Sequence, residues 1–195
     1  MADLVLATDD TGGPEIFASL QGEGPSAGRP VAFIRLSRCN LACTWCDTAY
    51  TWRFEGDNRS HRDGVHYERK ANQVKLSPRA AAERIAATGQ NRLVITGGEP
   101  LMQGAALAEM LEHLHNIAVE VETNGTTKAP PRLDARIDQY NVSPKLAHSG
   151  NSSQLALIPE RLDAYAADER AFFKFVIAEP DDVDEVLALA KTHSL

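Results

Sequence analysis

The chain has 195 residues, of which 43% are hydrophobic and 24% are charged, and these are the proportions of a globular protein. They exclude a disordered or collagen-like chain, and the length predicts a single domain over residues 1–195. The formal net charge of -7 argues against direct binding to nucleic acid, which requires a basic face. Because no apolar run reaches the roughly 18 residues of a membrane span and the first residues lack a signal-peptide pattern, we expect a cytoplasmic location.

The first clear strand is predicted over residues 31–37, where β-branched and aromatic residues are concentrated. All the cysteines follow directly, so they lie just beyond the carboxyl end of this strand. Residues 53–72 are polar and rich in charge, and they predict a solvated insertion that does not pack on the core. His61 and His66 lie in this insertion, where an exposed histidine is a more common interpretation than a metal ligand.

The second half of the chain alternates helices with strands. Ser77 as N-cap and Pro78 at the first helical position predict a helix that Gly89 ends. The later predicted elements are strand 93–96, helix 105–115, strand 117–121, strand 137–142, a helix from about residue 159, strand 172–177 and a helix from residue 180. This order indicates an α/β fold with a mainly parallel sheet and ligands at the carboxyl ends of the strands. It also predicts a closing strand after residue 195, so we expect a shortened C-terminus.

The three cysteines, Cys39, Cys43 and Cys46, lie within eight residues. Three thiolates on one short loop can each bind an iron of a cubane cluster, which leaves the fourth iron free for another ligand. Structural zinc normally takes four protein ligands, and the sequence offers no second cysteine pair. An odd number of crowded cysteines is also untypical of a disulfide framework. A cluster is therefore the favoured interpretation.

The Cys-x3-Cys-x2-Cys spacing after a first strand resembles the signature of the radical S-adenosylmethionine superfamily. The resemblance implies a partial (β/α) barrel, here without the C-terminal closing strand, and a [4Fe–4S] cluster whose open iron binds S-adenosylmethionine. Reductive cleavage of that molecule would yield methionine and a 5′-deoxyadenosyl radical. Residues 96–100 (TGGEP) and 143–145 (SPK) end two later strands and resemble cosubstrate motifs of the superfamily. Taken alone, residues 96–100 could equally be a tight turn, and Lys145 could equally be a solvated lysine.

Further motifs agree in order with one family, 7-carboxy-7-deazaguanine synthase, over about residues 16–177. They are residues 16–24 (IFASLQGEG), 35–39 (RLSRC), 46–48 (CDT), 96–100 (TGGEP), 122–126 (ETNGT) and 143–145 (SPK). This family converts 6-carboxy-5,6,7,8-tetrahydropterin to 7-carboxy-7-deazaguanine with loss of ammonia, on the route to queuosine and other deazapurines. The resemblance therefore implies a carbon–nitrogen lyase that regenerates S-adenosylmethionine.

The resemblance also implies roles for single residues. The expected cosubstrate contacts are Trp45, Cys46, Asp47, Gly98, Ser143, Pro144 and Lys145. The expected pterin contacts are Leu20, Gln21, Gly22, Arg35 and Thr96, with Glu23 as a neighbour. Thr48 would hold the magnesium ion that the family requires, with substrate oxygens and water completing its shell. The motif leaves the role of Glu122 open.

Several alternatives remain at the level of sequence. Arg35 in an apolar strand can be a structural ion-pair partner, and Thr48 can cap a loop. The whole chain can also be a radical activase that forms a glycyl radical on a partner protein, or a non-catalytic metal-binding module. The family implies an electron donor such as flavodoxin or ferredoxin and, frequently, a homodimer. Relatives usually continue with another strand and a tail that reaches both substrates, and those residues have no counterpart before Leu195; if the natural protein ends there, activity is in doubt.

Overall fold

The computed structural model describes residues 2–195, which form one eight-stranded sheet with helices packed against it. The strands are β1 (Leu4–Ala7), β2 (Ile16–Leu20), β3 (Pro30–Leu36), β4 (Gln73–Leu76), β5 (Arg92–Gly97), β6 (Ala118–Thr123), β7 (Gln139–Val142) and β8 (Ala171–Phe173). The helices are α1 (Arg69–Asn72), α2 (Pro78–Ala87), α3 (Gly104–Glu112), α4 (Pro131–Asp134), α5 (Ser153–Ala156), α6 (Pro159–Ala166) and α7 (Asp181–His193). No helix in this described part of the chain is long and apolar enough to span a membrane.

The sheet is open and mostly parallel. Its strand order is β4-β1-β3-β5-β6-β7-β8, and β2 pairs separately with β3. The run from β3 through β5, β6 and β7 to β8 is parallel, with a helix in each crossover. The predicted α/β fold with mainly parallel strands is therefore confirmed, and the open sheet is compatible with a partial barrel. Because parallel strands end at the same edge, the loops after β3, β5, β6 and β7 meet there.

The two faces of the parallel strands differ in chemistry. Ile34, Ile95, Val121 and Tyr140 lie in neighbouring strands and belong to the buried cluster that packs under the helices. The residue after each of them points to the other face, because successive side chains of a strand alternate. Those residues are Arg35, Thr96, Glu122 and Asn141. One face is therefore an apolar core and the other is a polar surface that is available for a ligand.

The capping signals in the sequence correctly locate helix α2. The Ser77 hydroxyl accepts a hydrogen bond from the Ala80 amide at 3.3 Å, and Pro78 occupies the first turn. Gly89, just beyond the helix, has a φ of +71°, a conformation that favours glycine. Helices α3, α6 and α7 likewise lie where the pattern predicts them, within a few residues.

The sequence patterns missed three antiparallel strands and overestimated one parallel strand. β1, β2 and β4 were not predicted, because strands of four or five residues are too short to show a clear periodicity. The predicted strand 172–177 is only Ala171–Phe173. β8 pairs with β7 alone and lies at the end of the described strand order, so no second neighbour extends its ladder.

The predicted solvated insertion, residues 53–72, is also more ordered than expected. Arg53 is 5% exposed and Phe54 is 4% exposed. The guanidinium of Arg53 donates to the carbonyl oxygens of Val65 and Arg59, which closes the segment into a compact loop. Most of residues 55–71 are exposed, as predicted, and the prediction was wrong for Arg53 and Phe54. A buried arginine can satisfy backbone carbonyls of its own loop, and composition does not reveal such a contact. The last residues of the segment form α1.

Candidate active site

A polar cavity of about 350 Å³ lies at the carboxyl edge of the parallel strands. Most of the residues predicted from the motifs line it: Gln21, Gly22, Arg35, Cys39, Cys43, Trp45, Cys46, Asp47, Thr48, Thr96, Gly98, Ser143 and Lys145. The lining also includes Glu23, Glu122, Asn124 and Lys174. Leu20 and Pro144 are not among the lining residues. Leu20 is 62% exposed to solvent, and Pro144 is buried without facing the cavity. Segments far apart in sequence therefore form one cavity.

The cysteine loop follows β3, and all three thiols face this cavity. Burial raises the pKa of the Cys39 thiol to about 12 and also raises that of Cys43. Such thiols are poor free nucleophiles, and they become thiolates when a metal binds them. Among residues 2–195 no three Cys, His, Asp or Glu side chains converge as for a single metal ion. A cubane cluster does not need this convergence, because each thiolate binds a different iron.

Hydrogen-bond donors surround the cysteine sulfur atoms. The Leu41 amide lies 3.4 Å from Cys39 Sγ, and the Asn151 side-chain amide lies 3.4 Å from Cys43 Sγ. The Asn124 side-chain amide is 3.9 Å from Cys39 Sγ. Donors directed at sulfur suit an anionic iron–sulfur group, because they stabilise its negative charge. The donor set of the loop therefore fits a cluster.

The loop after β5 packs tightly on the cysteine loop. The Gly98 amide donates to the Leu36 carbonyl at 3.0 Å, and the Glu99 amide donates to the Arg38 carbonyl at 2.9 Å. A Cβ added at Gly98 would overlap the Arg38 carbonyl and would lie 3.0 Å from the Cβ of Cys39. Only glycine allows this approach, which explains the paired glycines in structural terms.

The Glu99 carboxylate is fully buried beneath this loop. It accepts hydrogen bonds from the Leu101 amide, the Asn124 amide and the Thr123 hydroxyl. Burial raises its pKa to about 7, although these hydrogen bonds favour the charged form. Glu99 therefore joins the ends of β5 and β6 and does not line the cavity.

Lys145 brings a buried positive charge to the cavity. Its ammonium donates to the Ser143 hydroxyl at 2.8 Å and lies 5.8 Å from the ring centroid of Trp45. Burial lowers the pKa of Lys145, while the charge of the nearby Cys43 thiolate raises it. A buried cation beside an aromatic ring and three thiols is suited to an anionic ligand.

Arg35 has an ion-pair partner and also lies at the cavity. Its Nε donates to Glu15 Oε1 at 2.6 Å, and Tyr50 donates its hydroxyl to the other oxygen of Glu15 at 2.9 Å. Burial alone would lower the pKa of Arg35, but the bond and charge of Glu15 outweigh it and the pKa is raised. Arg35 nevertheless lines the cavity. Glu15 therefore fixes the base of the guanidinium group and leaves its terminal nitrogens available to an anion.

Gln21 and Glu122 line the cavity, and the fully buried Glu120 lies next to Gln21. The Gln21 amide lies 3.2 Å from Glu120 Oε2 and 3.3 Å from Glu122 Oε1. Arg92 pairs with Glu120 at 2.6 Å, and the Thr96 hydroxyl donates to Glu122 at 2.6 Å. Burial raises the pKa of Glu122, so its charged carboxylate would gain from the hydrogen-bond donors of a planar ligand.

The segment that was predicted to be solvated supports the cysteine loop. The His61 side chain is only 1% exposed, and its Nε2 lies 2.9 Å from the Cys46 carbonyl. The Asp63 amide donates to Nδ1, which leaves Nε2 as the donor to Cys46. The Arg62 amide also donates to the Thr44 carbonyl at 2.8 Å. His61 is therefore a buried structural contact, which nothing in its polar sequence context signalled.

Comparisons with known proteins find relatives of this chain in sequence and in structure. The family model of the radical SAM superfamily matches residues 33–149. A curated 7-carboxy-7-deazaguanine synthase from Pyrobaculum aerophilum is 40% identical over 174 residues, covering 88% of this chain and 69% of that protein. The enzyme of the same name from Hyperthermus butylicus is 36% identical, covering 88% of this chain and 67% of that protein. The crystal structure of QueE from Escherichia coli aligns with a TM-score of 0.64 and 28% identity, covering 95% and 78% of the two chains.

The fold, the cysteine loop and the superfamily match together define a radical S-adenosylmethionine protein. Such a protein uses a [4Fe–4S] cluster and S-adenosylmethionine, and the three thiols facing the cavity fit the cluster. Within the superfamily, the chain belongs to the 7-carboxy-7-deazaguanine synthase family, since curated members are 30–40% identical over most of its length. The family role is that of a lyase in deazapurine biosynthesis.

Proposed function

We propose that this chain converts 6-carboxy-5,6,7,8-tetrahydropterin to 7-carboxy-7-deazaguanine with loss of ammonia, as a single domain over residues 1–195. One observation carries the proposal: the motifs of the family, from Gln21 to Lys145, line a single cavity at one edge of the sheet. The cluster and S-adenosylmethionine supply a 5′-deoxyadenosyl radical when they are bound. The chain itself binds, orients and shields the reacting groups.

The cluster end of the cavity holds the first group of proposed roles. Cys39, Cys43 and Cys46 bind the [4Fe–4S] cluster. The proposed cosubstrate contacts are Trp45, Cys46, Asp47, Gly98, Ser143, Pro144 and Lys145. Their support is the open backbone at Gly98, the buried ammonium of Lys145 and its position near the Trp45 ring. Pro144 contributes only by shaping the loop, because it does not line the cavity.

A second group of residues provides the proposed contacts to the pterin. Arg35 pairs with the substrate carboxylate through its terminal nitrogens, which its bond to Glu15 leaves free. Gln21, Gly22 and Thr96 offer amide, backbone and hydroxyl groups to the ring edge. Leu20 contributes through its backbone, since its side chain is exposed.

The proposed magnesium ligand is Thr48, which lines the cavity and whose hydroxyl lies 3.5 Å from Cys46 Sγ. A hard cation with one protein oxygen takes its other ligands from substrate and water. The ion would neutralise the negative charge of the carboxypterin. An electron donor such as flavodoxin or ferredoxin, a cytoplasmic location and a homodimer complete the proposal by analogy with the family.

The deciding experiment uses anaerobically reconstituted protein with a reductant, S-adenosylmethionine, magnesium and carboxypterin. We expect 7-carboxy-7-deazaguanine, detected by mass spectrometry, and no product from the Cys43→Ser variant. A glycyl radical on a partner protein in place of this product would favour an activase. A colourless protein that binds zinc and never cleaves S-adenosylmethionine would favour a non-catalytic module. Either of these results would overturn the proposal.

A further inference from the structure

The segment of residues 149–151 encloses the middle cysteine, although no motif pointed to it. The Thr44 amide donates to the Ser149 carbonyl at 2.9 Å, and the Ala42 amide donates to Asn151 Oδ1 at 2.9 Å. The residues on both sides of Cys43 are therefore held by this segment. Gly150 lies between the two holding residues, and an added Cβ would lie 2.6 Å from Cγ2 of Thr44. The contact is close and specific.

The geometry fixes which end of Asn151 faces the sulfur. Its Oδ1 accepts from the Ala42 amide, which can only donate, so the other end must be the NH2 group. That NH2 group lies 3.4 Å from Cys43 Sγ and 3.1 Å from the Ser149 hydroxyl. It carries two hydrogens, so both contacts can be made at once. Asn151 therefore directs an N–H donor at the Cys43 sulfur.

The surroundings make this donor important to the charge on the sulfur. Cys43 is 7% exposed, so water contributes little to stabilising a thiolate there. Reduction of an iron–sulfur cluster adds negative charge that is shared with its thiolates. A hydrogen bond to sulfur stabilises the reduced form more than the oxidised form, and it raises the reduction potential.

We propose that Asn151 is a positioning residue of the cluster, which raises its reduction potential by donating a hydrogen bond to Cys43 Sγ. The proposal goes beyond the pterin chemistry. It rests only on the assignment of the cluster to the three cysteines. Asn151 contacts no substrate and acts through a cluster ligand.

The test is a redox titration of reconstituted protein, followed by electron paramagnetic resonance, without pterin or S-adenosylmethionine. We expect Asn151→Leu to lower the equilibrium constant for one-electron reduction about tenfold, which is ~59 mV. Asn151→Asp should lower it further, because it replaces the donor by a negative charge. Its carboxylate still accepts from the Ala42 amide, so this variant shows whether the loop and the cluster are retained. Because its charge would lower the potential in any case, Asn151→Leu carries the test of the hydrogen bond. The matched control is Asn91→Asp, an exposed position before β5 at the opposite edge of the sheet.

A second readout is spectroscopic. In unsubstituted protein labelled with ¹⁵N at asparagine side chains, the reduced cluster should show a ¹⁵N coupling in its pulsed spectra. Loss of this coupling in Asn151→Asp assigns it to Asn151 and not to the Asn124 side-chain amide, which lies 3.9 Å from Cys39 Sγ. Absence of that coupling, or a potential of Asn151→Leu equal to that of the unsubstituted protein, would refute the role of Asn151. Failure of the unsubstituted protein to bind any cluster would instead count against the cluster assignment itself.

Discussion

At the scale of single residues, the site depends on side chains that hold other side chains. Glu15 fixes Arg35, Asn151 holds Cys43, and Glu99 joins two strand ends. None of these three supporting roles was predicted from sequence. The residues that they support mostly were, because those residues lie in the motifs. A motif therefore locates the chemistry but not the groups that orient it.

Glu15 gives a prediction about substrate affinity. Glu15→Gln removes the charge that holds the Arg35 guanidinium, so the KM for carboxypterin should rise about 10-fold to 100-fold, as expected for a charged hydrogen bond. Cleavage of S-adenosylmethionine without pterin should not change. Steady-state kinetics measure the first quantity and methionine release measures the second. Glu112→Gln, which loses an exposed pair with Arg132, is the control. An unchanged KM would show that Arg35 does not need Glu15.

Glu99 gives a prediction about pH and stability. Its folded pKa of about 7 lies above the ordinary value of 4.5, so the folded chain binds a proton more tightly than the unfolded chain. Its contribution to stability is thus complete below pH 4.5 and is lost as the pH rises to 7. The loss is about 3 kcal/mol for the shift from 4.5 to about 7.

This pH dependence is measured by urea unfolding of the apoprotein from pH 4.5 to 8. The Glu99→Gln variant has no carboxylate at this position and should show a flatter profile. Glu83→Gln, on the exposed face of α2, should behave like the unsubstituted protein. Parallel profiles for Glu99→Gln and the unsubstituted protein would contradict the raised pKa.

At the scale of elements, the site is formed by the ends of parallel strands. The loops after β3 and β5 interlock, because the backbone of residues 97–99 lies against that of Leu36 and Arg38. The loop after β7 then reaches the cysteine loop through Ser149 and Asn151. The insertion after the cysteines supports the same loop from another side through His61. The cluster loop is thus held by three segments that are distant in sequence.

Gly98 gives a prediction about this interlocking. Gly98→Ala places a Cβ against the Arg38 carbonyl and Cys39, so the two loops must separate. We expect a loss of about 2 kcal/mol or more in the free energy of unfolding, by overpacking. Chemical unfolding of the apoprotein measures it. The control is Gly22→Ala, where an added Cβ meets no atom within 4 Å. Equal stability of the two variants would contradict the close packing.

At the scale of the whole molecule, binding of the cluster should stabilise the folded chain. The three cysteines lie on one loop, and that loop contacts the segments after β5 and β7 and the insertion. A group that binds only the folded chain stabilises it by linkage. Binding of the cluster should therefore stabilise all the loops at the edge of the sheet that carries the cavity.

Removing the iron tests this at the same scale. We expect the midpoint of thermal unfolding to fall by about 10 °C when a chelator removes the iron from the reconstituted protein. For a chain of this size, that shift corresponds to a few kcal/mol in the free energy of unfolding. Differential scanning calorimetry under anaerobic conditions measures it. A variant with all three cysteines replaced by serine should show no change on the same treatment. A loss of equal size in that variant would show that the chelator acts elsewhere.

The sequence by itself determined the class of fold, the site of the chemistry and the family. Hydrophobic periodicity, helix caps and the cysteine spacing are local signals, and the resemblance extended them to most residues that line the cavity. The long buried strands were therefore located well. The antiparallel strands β1, β2 and β4 were missed, because each has only four or five residues, and β1 and β4 also pair with segments far away in the chain.

Only the tertiary structure decided how the motifs are held. Arg35 has both an ion-pair partner and a cavity position, which no local pattern can reveal. His61 and Arg53 are buried within a polar segment, where composition predicted exposure. Asn151 meets Cys43 across 108 positions of the chain. Such contacts depend on the path of the folded chain, because a polar side chain is buried wherever the fold supplies a partner.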